Sequence, residues 1–166
     1  MRSQKEQWVA DLPQSRMGYP VTVPDRFKYW FWRFYTPFHP YIRDVSTSIG
    51  IVRHEGRQDF LMGTLRPSRS ARDLASFLVE KGFGNHFIAW KDTDELVSLR
   101  RTDGFRYQYH VRIFKDGEVR CHYEYTPEYS PVRHLIQIGF EDRTAEFRNI
   151  LKDWILPHEE SVAADA

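Results

Sequence analysis

The sequence holds little cysteine, little net charge and no long apolar run. Cys121 is its only cysteine, which excludes an intramolecular disulfide and a cysteine-rich zinc site and indicates a reducing compartment. No apolar stretch approaches the roughly 20 residues of a membrane-spanning helix, and the N-terminus lacks the apolar core of a signal peptide. We therefore expect a cytoplasmic protein without a membrane span, with the Cys121 thiol buried in the core.

Motifs that identify common enzyme classes are also missing. The sequence has no glycine-rich phosphate loop, no HExxH, no GxSxG and no calcium-binding loop. The formal net charge is +1, so the overall charge indicates neither nucleic acid nor a membrane as a partner. A function has to come from local clusters of side chains, and we predict no cofactor.

Composition divides the chain into three parts. Residues 1–43 are predicted to form an arm, rich in proline and aromatic residues, that packs on the domain. Residues 44–157 are predicted to form one α+β domain, and residues 158–166 a disordered tail. Within residues 27–41, nine of fifteen side chains are aromatic, and no period separates a wet face from a dry one. Such a segment usually covers a sheet. Exposed, it would form a subunit interface or a membrane-surface patch.

The domain is predicted to contain an antiparallel β-meander of about five to seven strands with two helices packed on one face. Ser70 and Asp73 form a capping-box-like pair before the first helix, and the second is predicted over about residues 142–156. Strands are predicted at residues 46–54 and 59–65, in four runs between residues 86 and 126, and at residues 134–140.

Turn lengths predict the register of the meander. A three-residue loop at residues 115–117 places apolar and aromatic side chains on one face, whereas a two-residue loop would bury charges. The pairs that it predicts are Ile113 with Val119, Val111 with Cys121, Tyr109 with Tyr123, and Tyr107 with Tyr125. Similar turns at residues 102–104 and 92–94 predict Leu99 with Tyr107, Val97 with Tyr109, Phe87 with Leu99, and Ala89 with Val97.

The opposite face of this sheet gathers histidine and arginine. His110 and His122 should lie directly opposite each other, roughly 5 Å apart at Cβ, with Glu124 as an orienting carboxylate. The candidate ligand-binding residues around them are Trp90, Arg100, Arg106, Gln108, Arg112, Arg120 and His86. Guanidinium groups suit phosphates and carboxylates, and a tryptophan can stack on a base.

The alternative is an ordinary solvated sheet face. Arg112 opposite Arg120 argues against it, because like charges directly across strands are unfavourable unless something compensates them.

Three functions remain open. The leading hypothesis is a module that binds an anionic ligand, nucleic acid included, on the arginine- and histidine-rich face. The second is a metal-free phosphoesterase or nuclease in which His110 and His122 act as base and acid. We predict no bound metal, although the two imidazoles could hold zinc if Glu124 or His86 supplied a third ligand. The third is an assembly protein that forms a homodimer through the aromatic segment.

Overall fold

The computed structural model describes residues 7–38, 41, 42, 45, 48, 49, 60–86, 92, 94–135 and 139–157. The strands are β1 Leu61–Leu65, β2 Gly84–Asn85, β3 Glu95–Asp103, β4 Tyr107–Phe114, β5 Glu118–Tyr125 and β6 Ile155–Pro157. The α-helices that lie wholly within the described residues are α1 Gln7–Ala10, α2 Val23–Tyr35, α3 Ala71–Glu80, α4 Pro131–Leu135 and α5 Thr144–Leu151. The described residues form no helix that has both the length and the apolar character needed to span a membrane.

The six strands form one antiparallel sheet in the order β2-β3-β4-β5-β1-β6. The predicted α+β class and antiparallel sheet are confirmed, with β3, β4 and β5 as consecutive meander strands. β1, which precedes them in sequence, pairs on the far side of β5, and β6 closes that edge.

One face of the sheet carries the hydrophobic core. Its strand residues form a cluster with the buried side chains of α3 and α5, among them Leu74, Leu78 and Phe147. Helix α3 begins where it was expected, because the Ser70 hydroxyl accepts the backbone N–H of Asp73 at 3.1 Å. Cys121 is buried in this core, and burial raises the pKa of its thiol well above the ordinary value.

The predicted register of the central hairpin is confirmed. All four predicted apolar pairs of β4 and β5 occur, so His110 lies opposite His122 and Arg112 opposite Arg120. Gly117 in the connecting turn has φ +91°, which a glycine adopts without steric cost.

The predicted register between β3 and β4 is wrong by four residues. Leu99 pairs with Val111 and Val97 with Ile113, because the chain turns at residues 104–106 instead of 102–104. Phe105 in that turn is buried, with its ring 6.1 Å from those of Tyr29 and Tyr129. Since the shift is an even number of residues, each side chain stays on the predicted face.

The edge strand β2 also differs from expectation. Asn85, and not Phe87, pairs with Leu99. Residues 87–91, which include Ala89, lie outside the described residues.

Three predicted element boundaries need correction. The strand expected over residues 46–54 is helical at Ser48, and the N–H of Ile49 donates to the carbonyl of Val45; residues 50–54 lie outside the described part. The strand expected at residues 134–140 begins inside α4, which starts at a proline, the residue favoured in a first helical turn. The last helix stops at Leu151 and the chain then enters β6, while residues 158–166 are not described.

Residues 27–35 of the aromatic segment lie in helix α2, so the predicted number of two helices is too low. Helix α2 starts with a capping box in which the Thr22 hydroxyl accepts the N–H of Asp25 and the Asp25 carboxylate accepts the N–H of Thr22. Pro24 is tolerated there because the first turn does not need its missing N–H. Trp32 and Asp25 face inward and are buried.

Candidate metal centre

The histidine- and arginine-rich face of the sheet is buried, so the alternative of an ordinary solvated sheet face is wrong. Its central side chains are each at most 4% exposed, and they are His86, Ser98, Arg100, Gln108, His110, Arg112, His122 and Glu124. Charged groups in such surroundings have to be paired, or they cost several kcal/mol each.

Carboxylates from outside β4 and β5 supply that pairing. Arg100 forms a two-pronged ion pair with Glu128, at 2.6 and 3.0 Å. Arg112 binds Glu95 at 2.9 Å and also Asp92. These carboxylates neutralise the charges of Arg100 and Arg112, so both guanidinium groups are paired within the chain itself.

The remaining predicted ligand-binding residues are placed differently. Arg120 pairs with Glu118 on its own strand, and its guanidinium lies 4.8 Å from the centre of the Phe114 ring. Arg106 lies in the turn after β3, where its side chain is half exposed and 3.6 Å from Asp25 of α2. Trp90 lies outside the described residues.

His110, His122 and Glu124 converge at the centre of the buried face. His110 Nδ1 lies 2.9 Å from His122 Nε2, which lies 2.9 Å from Glu124 Oε1, and the third side of this triangle is 3.5 Å. His110 and His122 face each other on β4 and β5, and Glu124 lies two residues after His122 on the same face of β5, as predicted. Among the described residues, this trio is the group of side chains whose ligand atoms lie close enough to share a metal ion.

Neighbouring polar groups hold these side chains in position. His110 Nε2 lies 2.5 Å from the Ser98 hydroxyl, and the Gln108 amide donates to Glu124 Oε1 at 3.1 Å. His134 Nδ1 approaches the other carboxylate oxygen of Glu124 at 3.3 Å. Partners of this kind fix ring orientation and tautomer in metal sites.

Glu124 stays ionised despite its burial. Desolvation alone would raise its pKa, but the charges of His134 and His122 and the hydrogen bonds from His110 and His122 hold that pKa well below its usual range. The centre therefore contains a carboxylate beside two imidazoles at neutral pH.

Two neighbours in the triangle compete for the same nitrogen of His122. A ring nitrogen carries either one proton or one lone pair, so it makes one directed bond. His122 Nε2 has two partners at 2.9 Å, and only one of these contacts can be a well-aligned hydrogen bond. A cation between the three atoms would satisfy all of them together.

The separations also fit metal coordination. Zinc binds imidazole nitrogen and carboxylate oxygen at about 2.0–2.2 Å, so two such ligands at octahedral or tetrahedral angles lie about 2.9–3.5 Å apart. The three sides of the triangle fall within this interval.

His86 lies beside the triangle with both ring nitrogens lacking a hydrogen-bond partner among the described residues, although the side chain is buried. Its ring centre is 6.1 Å from that of His110 and perpendicular to it. Burial, with the charges of Arg100, His110 and His134, lowers its pKa well below the ordinary value, so the imidazole is neutral. A buried polar side chain without a partner is rare, and a bound water molecule or ion is one arrangement that satisfies it.

The candidate site residues predicted from the sequence did not include Ser98, Glu128 or His134. The predicted register placed Ser98 on the correct face but opposite Gln108 instead of Arg112, and His134 was assigned to a strand. Pro131, three residues earlier, was the signal for a helix that turns His134 toward Glu124.

A pocket of about 230 Å³ borders the centre. His122 contributes to its lining, and the rings of Phe60 and Phe140 lie 5.6 and 5.5 Å from the imidazole. Phe60 has φ 76°, an uncommon conformation for a bulky residue.

No protein-family model, curated protein or solved structure matches this chain.

Proposed function

We propose that the protein binds a divalent transition-metal ion through His110 Nδ1, His122 Nε2 and Glu124 Oε1. The observation that supports this function is the buried triangle of ligand atoms with sides of 2.9, 2.9 and 3.5 Å. Neutral His86, whose ring centre lies 6.1 Å from that of His110, supports a hydrogen-bond partner for a water molecule on the ion.

The ligand set favours zinc or ferrous iron. Two imidazoles and one carboxylate suit these ions, whereas the soft thiolate that Cu(I) prefers is not in the set, because Cys121 faces the core on the other side of β5. Three protein ligands leave at least one coordination position open, as in catalytic sites. An ion there would supply Lewis-acid chemistry.

The test is metal binding by the purified protein and by ligand variants. Protein prepared without chelator is analysed for metal content, and the chelator-treated protein is titrated with Zn²⁺ and Fe²⁺. We expect about one ion per chain, and at least about hundredfold weaker binding by His122→Ala and Glu124→Gln, since even the partners of metal ligands are worth about 10- to 100-fold. Cys121→Ala is the matched control, because it changes the neighbouring residue on the opposite face.

The result that would refute the proposal is specific. Circular dichroism establishes that each variant is folded. If folded wild-type protein binds neither ion, or if both ligand variants bind as tightly as Cys121→Ala, the triangle is not a metal site.

A second candidate is metal-free acid–base catalysis of phosphodiester cleavage by the same histidines. The observation that favours it is the ionised Glu124 carboxylate 2.9 Å from His122 Nε2, where it can orient and charge the imidazole. Hydrolysis of bis(p-nitrophenyl) phosphate that persists in excess chelator and disappears in His110→Ala would support it. Activity lost with the metal would refute it.

Binding of an anionic ligand by the arginines stays a prediction. Of the four arginines, Arg106 has the most exposed side chain, so a nucleic-acid interface would have to involve it. Salt-sensitive RNA or DNA binding that Arg106→Ala weakens would support this role.

A further inference from the structure

Helix α2 carries a continuous apolar stripe on the side that faces away from the protein. Trp30 and Phe34 are each 63% exposed, and Phe27 is 68% exposed. The other exposed apolar side chains of the stripe are Val23, Phe31 and, just past the helix, Phe38. Their spacing of three, four and seven residues places them on one face.

The opposite side of α2 is docked on the domain and fixes the orientation of the stripe. Asp25 pairs with Arg106 at 3.6 Å, and Lys28 Nζ lies 4.0 Å from the centre of the Tyr129 ring. Trp32 is buried on the same side. The helix is therefore held in place with its aromatic side outward.

The stripe is large for a surface without a partner. An aromatic side chain presents about 150–250 Å², so five rings at roughly half to two-thirds exposure present about 600 Å². The largest apolar patch on a typical monomer is about 300–600 Å² and is often functional. Tyr41, Ile42, Val45 and Ile49 add further exposed apolar surface beyond the helix.

Charge distinguishes between the surfaces that could cover this stripe. Arg26 and Arg33 are seven residues apart and exposed, so they lie along the same flank of the stripe. The acidic residue of α2, Asp25, is buried and bound to Arg106. A twofold antiparallel pairing of two α2 helices would place Arg26 of one copy near Arg33 of the other, and that repulsion disfavours a second copy.

We propose that the outward face of α2 inserts its aromatic side chains into the headgroup region of an anionic lipid bilayer. Trp and Phe on one side with arginine beside them are the composition of helices that lie in the plane of a membrane surface. A helix of thirteen residues is about 20 Å long and provides such a footprint.

The test is co-sedimentation of the full chain with vesicles of phosphatidylcholine alone and of phosphatidylcholine with phosphatidylglycerol. We expect binding to the anionic vesicles that weakens with salt. Phe27→Ser/Phe34→Ser and Arg26→Glu/Arg33→Glu should each reduce binding by about tenfold or more. These positions are exposed, so the fold should persist, which thermal unfolding verifies.

Matched controls lie elsewhere on the surface. Val132→Ser/Leu156→Ser removes two exposed apolar side chains, and Arg72→Glu reverses an exposed charge on α3. All three changes should leave vesicle binding unchanged.

Light scattering of the same proteins tests the alternative, in which the stripe forms a dimer interface. A dimer that Phe27→Ser/Phe34→Ser converts to a monomer, with no binding to anionic vesicles, would overturn the proposal in favour of a second copy. Failure of the wild type to bind anionic vesicles as a monomer, or equal loss of binding in the control variants, would overturn it outright.

Discussion

The buried ion pair between Arg100 and Glu128 makes a sharp prediction about the polar face of the sheet. The pair is almost fully buried, and Glu128 supplies two of the four hydrogen-bond contacts of the guanidinium. The other two go to Gln108 at 3.2 Å and to the Ser15 hydroxyl at 2.6 Å. Glu128→Gln leaves the positive charge with neutral partners only, because arginine cannot release its proton in a protein.

The magnitude follows from that arrangement. Removing one member of a buried pair costs about 3–5 kcal/mol, whereas replacing both members by apolar side chains of similar size is often neutral or stabilising. In Arg100→Met/Glu128→Leu, Gln108 and Ser15 lose a partner, at about 1 kcal/mol each. We therefore expect Glu128→Gln to lose about 3–5 kcal/mol and the double variant to lose only about 1–2 kcal/mol.

Urea unfolding followed by circular dichroism measures these free energies, with the slope m as a check that the transition is comparable among variants. The two single changes Arg100→Met and Glu128→Leu complete a double-mutant cycle, and Glu128→Gln removes the negative charge while keeping the shape of the side chain. A cost below about 1 kcal/mol for Glu128→Gln would show that the pair is solvated. Costs that add in the double variant would show that the two charges do not interact, and Arg100 would then be available to an external anion.

Two further predictions concern the core. Leu78→Ala leaves a cavity at a fully buried position of α3 and should lower the free energy of unfolding by about 2–5 kcal/mol. Tm should fall by about 5–15 °C, and an unchanged Tm would contradict the packing of α3 on the sheet. Burial raises the pKa of the Cys121 thiol, so a disulfide reagent should modify the native protein only as fast as the protein unfolds locally around Cys121. Rapid modification of the folded protein would contradict the position of Cys121 in the core.

The fold could be predicted where local chemistry decides it. The hairpin of β4 and β5 follows from its turn and from side-chain parity, and helix α3 follows from its cap. The turn after β3 could not be predicted, because Phe105 is buried against Tyr29 and Tyr129, which are distant in sequence. Tertiary packing moved the turn by two residues, and the strand pairing by four.

The three residues of the candidate centre could likewise be predicted, but the burial of their face could not. Parity alone brings His110, His122 and Glu124 together on one face. The burial of that face could not be predicted from the strands, because Glu128 and Asp92, which neutralise Arg100 and Arg112 there, lie in the connections between elements. Strand composition alone therefore overstated the surplus of positive charge.

His86 offers a final prediction that separates a structural role from a functional one. The two buried ring nitrogens of His86 have no hydrogen-bond partner within the described part of the chain, which destabilises the protein, so His86→Leu should stabilise the metal-free protein by about 1–2 kcal/mol. The same change should weaken metal binding by about 10- to 100-fold if the imidazole binds a water molecule on the ion.

His134→Leu is the matched control. Nδ1 of His134 lies 3.1 Å from the Tyr125 carbonyl and 3.3 Å from Glu124, so the metal-free His134→Leu variant should lose stability. Urea unfolding in chelator and metal titration measure the two effects, and a His86→Leu protein that is less stable without metal would contradict the argument. Stability gained and affinity lost at one position would identify His86 as a residue kept for binding.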